Sequence, residues 1–171
     1  RISINPQTLS DEVLAAIGRR HTAQDVLDCF AQARRLGHGN INMDLIAGLP
    51  LDTPARFAQT LQGVLALAPE NITVHTLTLK RASNLVIEHA PNAYGDVARM
   101  LDSCALLGEN GYEPYYLYRQ KGTLQNLENT GYTRPGYAGL YNVFIMEEVH
   151  TILSAGAGGS TKLVGPDGHI R

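Results

Sequence analysis

The chain has 171 residues, with 14 lysines and arginines against 16 aspartates and glutamates, leaving a net charge of −2. That balance excludes the strongly basic surface that grips nucleic acid, and no apolar run approaches the ~18 residues of a spanning helix, so neither nucleic acid nor membrane is expected as a partner. The length suffices for one domain with a real core, and the ordinary apolar and charged fractions lead us to expect a cytoplasmic protein.

The opening "RISINPQ" alternates as a strand does: Ile2 and Ile4 fall on one face, Ser3, Asn5 and Gln7 on the other. A helix follows, with Ser10 as its cap, Asp11 and Glu12 in the first turn, Val13, Leu14 and Ile17 as an apolar stripe, and Gly18 at its end. Thr22 opens a second helix, with Asp25 completing an approximate capping box, Val26, Leu27, Phe30 and Ala33 directed at the core, and Gly37 as the stop. Within "INMDLIAGLP", Ile41–Ala47 read as the next strand, with Asp44 in its middle. Thr53-Pro54 caps a third helix, in which Phe57, Leu61, Val64 and Leu65 recur at helical spacing until Pro69. "ITVHTLTL", Ile72 to Leu79, is a strand rich in β-branched residues, and "LKRASNLVIEHAPN" is a connection without an assigned element.

Further on, Val97, Met100, Leu101 and Cys104 mark another helix, ended by Gly108 or Gly111. "YYLYRQ", "NVFIMEEV" and "TILSA" read as strands, with a helical reading open for Ile145–His150, and "LVGPDGHI" reads as a hairpin centred on Pro166-Asp167-Gly168. The two cysteines, Cys29 and Cys104, sit in helical patterns and are expected to be small buried side chains; their spacing is no metal motif, so no metal site is expected.

Strand and helix alternate three times, which argues for parallel βα units. A closed eight-stranded barrel fills its centre with branched apolar side chains. Here Ser3, Asn5 and Gln7, and then Asn42 and Asp44, give the strands a polar face opposite Ile41, Met43 and Leu45. The polar faces are therefore expected to line a wet or ligand-filled cavity, the other reading being a solvent-exposed antiparallel sheet, in which one polar face is normal. Asp44 has two readings: a ligand-facing carboxylate near a strand end, or a structural carboxylate paired with Arg19 or Arg20. Gly48 allows either a close backbone approach to a ligand or a turn. His75, inside a strand, reads as a hydrogen-bonded histidine that faces inward. Tyr116 and Tyr118 share a strand face and are expected to fill core. "SAGAGGS", Ser154 to Ser160, offers backbone amides to an anion, or is a turn.

"RISINPQTL…IGRRH" followed by "INMDLIAGLP" resembles the radical S-adenosylmethionine enzymes of the oxygen-independent coproporphyrinogen III oxidase family, as do "TVHTLTLKRAS", "YEPYYLYRQKG", "NLENTGYTRPG" and "LSAGAGGSTKL" in order. The resemblance implies an α/β fold: residues 1–108 as the second half of a partial TIM-type barrel of parallel βα units, and 109–171 as a mixed α/β segment that follows or closes it. It implies that Gln7, Arg19 and Asp44 contact S-adenosylmethionine: Asp44 accepting from ribose hydroxyls or the amino group, Arg19 gripping the methionine carboxylate, Gln7 donating and accepting. Gly48 joins them as a weaker candidate. No catalytic residue is assigned.

For the full-length protein it implies oxidative decarboxylation of coproporphyrinogen III to protoporphyrinogen IX by a 5′-deoxyadenosyl radical, in haem biosynthesis, with an electron donor as partner. The tetrapyrrole substrate carries four propionates, which makes Lys80, Arg81, Arg119 and Lys121 candidate contacts, and it gives Tyr116 and Tyr118 the alternative of stacking on its ring. The family's [4Fe–4S] cluster needs a CxxxCxxC motif, which Cys29 and Cys104 do not supply. The chain is thus expected to be a piece of a longer protein, lacking the cluster-binding half, inactive alone, and prone to self-association through exposed sheet edges. Two other readings are a haem chaperone of the same superfamily, which transfers haem without turnover, and an ordinary βα-barrel aldolase or isomerase.

Overall fold

The computed structural model describes residues 1–78, 97–118, 127–166 and 168. The chain divides into two compact units, Arg1–Ala138 and Gly139–Arg171. The first is built on one sheet. Strand β1 (Ile2–Gln7) pairs in parallel with β2 (Ile41–Ala47), and β2 in parallel with β3 (Asn71–Thr76). Strand β4 (Glu113–Tyr118) is followed by β5 (Asn129–Thr133), which inserts antiparallel between β3 and β4. The five-stranded order is β1-β2-β3-β5-β4, an open sheet with β1 and β4 at its edges.

The alternation expected for β2 holds. Ile41, Met43, Leu45 and Ala47 are fully buried on one face, with Ile72 and Val74 of β3 beside them. Two helices cover that face. In α2 (Ala23–Arg35), Val26, Phe30 and Ala33 turn inward; in α3 (Pro54–Leu67), Phe57, Leu61 and Val64 do. Each fully buried side chain of this size is worth about 1.5–3 kcal/mol of transfer free energy. The capping box at Thr22 and Asp25 is complete, and Thr53 accepts the Arg56 N–H at 3.2 Å ahead of Pro54. Helix α1 (Asp11–Ala16) buries Val13 and Leu14, but the Ser10 side chain does not cap it; the Ser10 N–H instead goes to Thr8 Oγ1 at 3.2 Å.

At the opposite end of the strands, Arg34 grips Glu70 with both guanidinium nitrogens, at 3.0 and 2.9 Å, and also donates to the carbonyls of His38 and Ala68. Glu70 in turn accepts the Ile41 N–H at 2.9 Å. The clamp ties the end of α2 to the starts of β2 and β3.

Several local expectations need correction. Cys29 is exposed, because it lies on the outward side of α2 beside the buried Phe30; Cys104 is buried as expected. The helix expected from Val97 breaks into α4 (Val97–Asp102) and α5 (Ala105–Glu109), with a turn at Ser103 and Cys104. In the second unit, "NVFIMEEV" is not a strand: Leu140–Met146 form helix α6, started by Asn142 and Val143 donating to the Gly139 carbonyl. Local i→i+3 and i→i+4 bonding wins there over the β-branched and aromatic composition. "TILSA" contributes only a bridge between Ile152 and Lys162. Around Pro166, Gly168 donates to Gly165 at 3.0 Å as a turn would, while Asp167 and residues 169–171 lie outside the described residues.

Candidate functional site

The other face of the sheet is polar, and the register explains its composition. Asp44 pairs with Thr73, Thr73 with Gly131, and Gly131 with Tyr116, so these residues form one row across β2, β3, β5 and β4. In that row only Gly131 lacks a side chain. A Cβ there would lie 1.8 Å from Cε1 of Tyr116, so the Tyr116 ring occupies the space over β5. Its hydroxyl reaches within 3.5 Å of Thr73 Oγ1, two strands away.

A continuous hydrogen-bonded network results. Asn42 Nδ2 donates to Asp44 Oδ1 at 2.8 Å and to Ser3 Oγ at 3.2 Å, while Thr73 Oγ1 donates to Asn42 Oδ1 at 3.0 Å. On the next turn of the pleat, His75 lies with Nε2 3.6 Å from Asp44 Oδ1 and Nδ1 3.0 Å from the Tyr118 hydroxyl. Tyr116 and Tyr118 stack with ring planes 5° apart and centroids 6.1 Å apart. These tyrosines therefore furnish the polar face; they do not fill the core as expected from their spacing.

Asp44 keeps 20% of its side-chain surface open, enough to meet a ligand from outside the sheet. Burial works to raise its pKa, but the His75 and Asn42 contacts outweigh it and hold the carboxyl below its ordinary value. The stabilisation from these contacts is present above the ordinary carboxyl range and is lost as the pH falls through the lowered value. Burial pushes the Tyr116 hydroxyl up to about 12, and Tyr118 upward too, so both stay neutral hydrogen-bonding groups. The pairing of Asp44 with Arg19 or Arg20 is not found. Asp44 is held by Asn42 and His75, and Arg19 is exposed on the connection between α1 and α2.

Gln7 is buried at the end of β1, in a left-handed backbone conformation with φ of 68°. The β1–β2 register shifts between Ile4 and Gln7, so Gln7 sits opposite Leu45, not in the Asp44 row. Its Nε2 donates to the Asn5 carbonyl at 3.3 Å. Gly48 has φ of +91°, so the chain turns there, and its N–H points at Met100 Sδ, 3.2 Å away. Ser154–Ser160 forms an exposed loop in the second unit, closed by Ser154 Oγ donating to Ser160 O at 2.7 Å. Lys80, Arg81, Arg119 and Lys121 lie outside the described residues. Sequence reasoning missed Thr73 and Gly131; the alternation of Thr73 and His75 against Ile72 and Val74 carries the signal for the first.

Beyond β2, Asp52 is 3% exposed and leaves Oδ2 without a hydrogen-bond partner. Burial raises its pKa from 3.8 to about 6, against the Thr53 N–H and Arg56. Between those two values the unfolded chain has released the proton that the folded chain still holds, so stability falls as the pH rises through that window. Asp52→Asn, which cannot ionise, is expected to stabilise by about 1–2 kcal/mol at pH 7 and by almost nothing below about pH 4. Urea unfolding at both pH values checks this.

With this geometry in hand, residues 1–63 match the family model described as Radical SAM superfamily. The chain is 47% identical over 171 residues to the oxygen-independent coproporphyrinogen-III oxidase-like protein HemZ of Bacillus subtilis, covering 98% of this chain and 34% of that protein. It is 28% identical over 174 residues to the heme chaperone HemW of Escherichia coli, covering 99% of this chain and 42% of the relative. Among solved structures it resembles coproporphyrinogen III oxidase (HemN) from Escherichia coli, a radical SAM enzyme, with a TM-score of 0.60, 23% identity, and coverage of 87% of this chain and 32% of that one. That structural likeness is one of fold. The chain spans 32–42% of the length of these proteins.

Proposed function

From the match of residues 1–63 to the radical SAM superfamily and the similarity both to coproporphyrinogen oxidases and to haem chaperones, we propose that the full-length protein is a radical SAM oxidoreductase of haem biosynthesis that converts coproporphyrinogen III to protoporphyrinogen IX. The observation that carries the reading is the 47% identity, over 98% of the chain, to a coproporphyrinogen-III oxidase-like protein. The polar sheet face supports it.

In this reading S-adenosylmethionine, when bound, supplies a hydrogen-abstracting adenosyl radical. The residues present fit its nucleoside part. Asp44 is ionised, partly open, and an acceptor only, which suits ribose hydroxyls or an amino group. Gln7 lies buried at the end of the adjacent strand, and the exposed Arg19 is available to a carboxylate. Gly48 shapes the turn that follows the Asp44 strand. Lys80, Arg81, Arg119 and Lys121 are proposed to meet the substrate's propionates, and an electron donor and a cytoplasmic location belong to the same proposal. Among the described residues no helix is long and apolar enough to cross a membrane.

The [4Fe–4S] cluster does not fit this chain's residues. Cys29 is exposed on α2, whereas Cys104 is buried with its thiol pushed up to about 12 by desolvation. Among the described residues no group of three or more histidines, cysteines, aspartates or glutamates has a metal-holding arrangement. The 171-residue chain by itself is therefore expected not to cleave S-adenosylmethionine. It is also proposed to self-associate, since among the described residues β1 and β4 are the edge strands of an open sheet; a monodisperse monomer in sedimentation would contradict this.

The relationship to a heme chaperone favours a second reading, in which the full-length protein carries and transfers haem. Anaerobic assay of the full-length, cluster-loaded protein separates the two. Vinyl-bearing product from coproporphyrinogen III supports the oxidase. Stoichiometric haem binding and transfer with no turnover selects the chaperone.

A further inference from the structure

We propose that His75 is a positioning residue for Asp44: clamped by Tyr118, its imidazole keeps the carboxylate ionised and aimed for a nucleoside's hydroxyl or amino donors. The inference rests on the reading of Asp44 as a ligand contact given above.

The tautomer follows from the partners. An ionised carboxylate only accepts, so the Asp44 Oδ1 atom, 3.6 Å from Nε2, favours the tautomer with the proton on Nε2. In a neutral ring Nδ1 is then the acceptor, and it lies 3.0 Å from the Tyr118 hydroxyl, which donates. Tyr118 thus fixes both the ring orientation and the proton's place. The ring's freedom is limited further by the edge-on contact with Tyr118, at 6.2 Å and 72°. Tyr118 is itself stacked against Tyr116, which is seated over Gly131.

The 3.6 Å separation is longer than a formed hydrogen bond. Such contacts in an unliganded site shorten when a ligand closes it. Asn42 holds the same oxygen, Oδ1, at 2.8 Å, and Thr73 adds a further side-chain hydrogen bond to the carboxylate, which keeps part of its surface open. Among the described residues the titratable groups facing it are His75 from β3 and Tyr116 and Tyr118 from β4; Asn42 and Thr73 are neutral. The tyrosine hydroxyls act on the charge of Asp44 only if ionised, so the imidazole is the titratable group among these that turns an N–H toward the carboxylate.

The test is carboxyl NMR of unliganded protein labelled with 13C at aspartate carboxyls, in which Asp44→Asn identifies the Asp44 resonance. His75→Phe is expected to raise the Asp44 titration midpoint by about one pH unit. His75→Gln, whose amide nitrogen falls near the Nε2 position, is expected to restore it, and Tyr118→Phe to give a smaller rise. A residue that only fills space would lower the melting temperature without moving the midpoint. If His75→Phe does not fold, Tyr118→Phe carries the same readout. An unmoved midpoint in folded variants overturns the proposal.

Binding of S-adenosylhomocysteine to the full-length protein separates this from the underlying reading. Asp44→Asn is expected to weaken that binding, and His75→Phe to weaken it about tenfold, the cost of one charge-assisted hydrogen bond. If Asp44→Asn binds as tightly as the natural protein, the ligand reading fails, and the positioning role fails with it whatever the titration gives. If Asp44→Asn weakens binding but His75→Phe leaves both binding and midpoint unchanged, the positioning inference alone fails.

Discussion

Gly131→Ala is expected to cost about 2–3 kcal/mol of stability and to dismantle the polar face, although it adds only a methyl group. The added Cβ would fall 1.8 Å from Cε1, 2.4 Å from Cδ1 and 2.7 Å from Cζ of Tyr116. A tyrosine ring is stiff and cannot give by that much locally. Either the ring swings away from Thr73, or β4 separates from β5 at the register pair of Tyr116 and Gly131. Both outcomes also take away the surface on which Tyr118 stacks, and with it the support of His75. The double variant Gly131→Ala with Tyr116→Ala is expected to lose less than the sum of the single losses, because the clash disappears with the ring. Urea unfolding measures all four corners. A Gly131→Ala protein within about 0.5 kcal/mol of the natural one would remove the steric argument.

Asp44→Ala in the full-length protein is expected to reduce S-adenosylmethionine affinity about 100-fold. Two charge-assisted hydrogen bonds at about 1.5 kcal/mol each amount to about 3 kcal/mol, which is that factor. The stability loss is expected to be smaller, about 1 kcal/mol. The substitution leaves Asn42 Nδ2 and His75 Nε2 without their acceptor, but Asn42 keeps Ser3, and His75 is 29% exposed to water. Calorimetric titration paired with unfolding separates the two effects. Unchanged affinity with a large loss of stability would make Asp44 a structural carboxylate.

How much of this was legible in the sequence depended on range. The β2 strand could be read from Ile41, Met43 and Leu45 alternating with Asn42 and Asp44, and its two flanking helices from the caps at Thr22 and Thr53, because each signal is local. The polar face was legible only in half. Ser3, Asn42 and Asp44 announce it, but its other half comes from β4, which reaches the site across β5. "NTGYT" gives little strand signal, and its essential residue is the one with no side chain, Gly131. Tyr116 and Tyr118 looked like core because spacing gives a shared face without saying which face is buried. Of the two readings of Asp44, the pairing with Arg19 or Arg20 is not formed, for a related reason. A complementary charge such as Arg19 is visible in the sequence, whereas His75 arrives through the parallel β2–β3 register, a long-range pairing. Gln7 shows the limit of strict alternation: one register shift before it moves its backbone partner from the Asp44 row to Leu45.

The central claim, that the polar sheet face around Asp44 receives the adenosyl ligand, is tested most directly by a crystal structure of the full-length protein with S-adenosylhomocysteine. The account predicts a ribose hydroxyl or the ligand's amino group within about 3 Å of an Asp44 carboxylate oxygen, with the His75 Nε2 contact shortened to hydrogen-bond length. Ligand bound elsewhere, with Asp44 still held only by Asn42 and the distant His75, would contradict it.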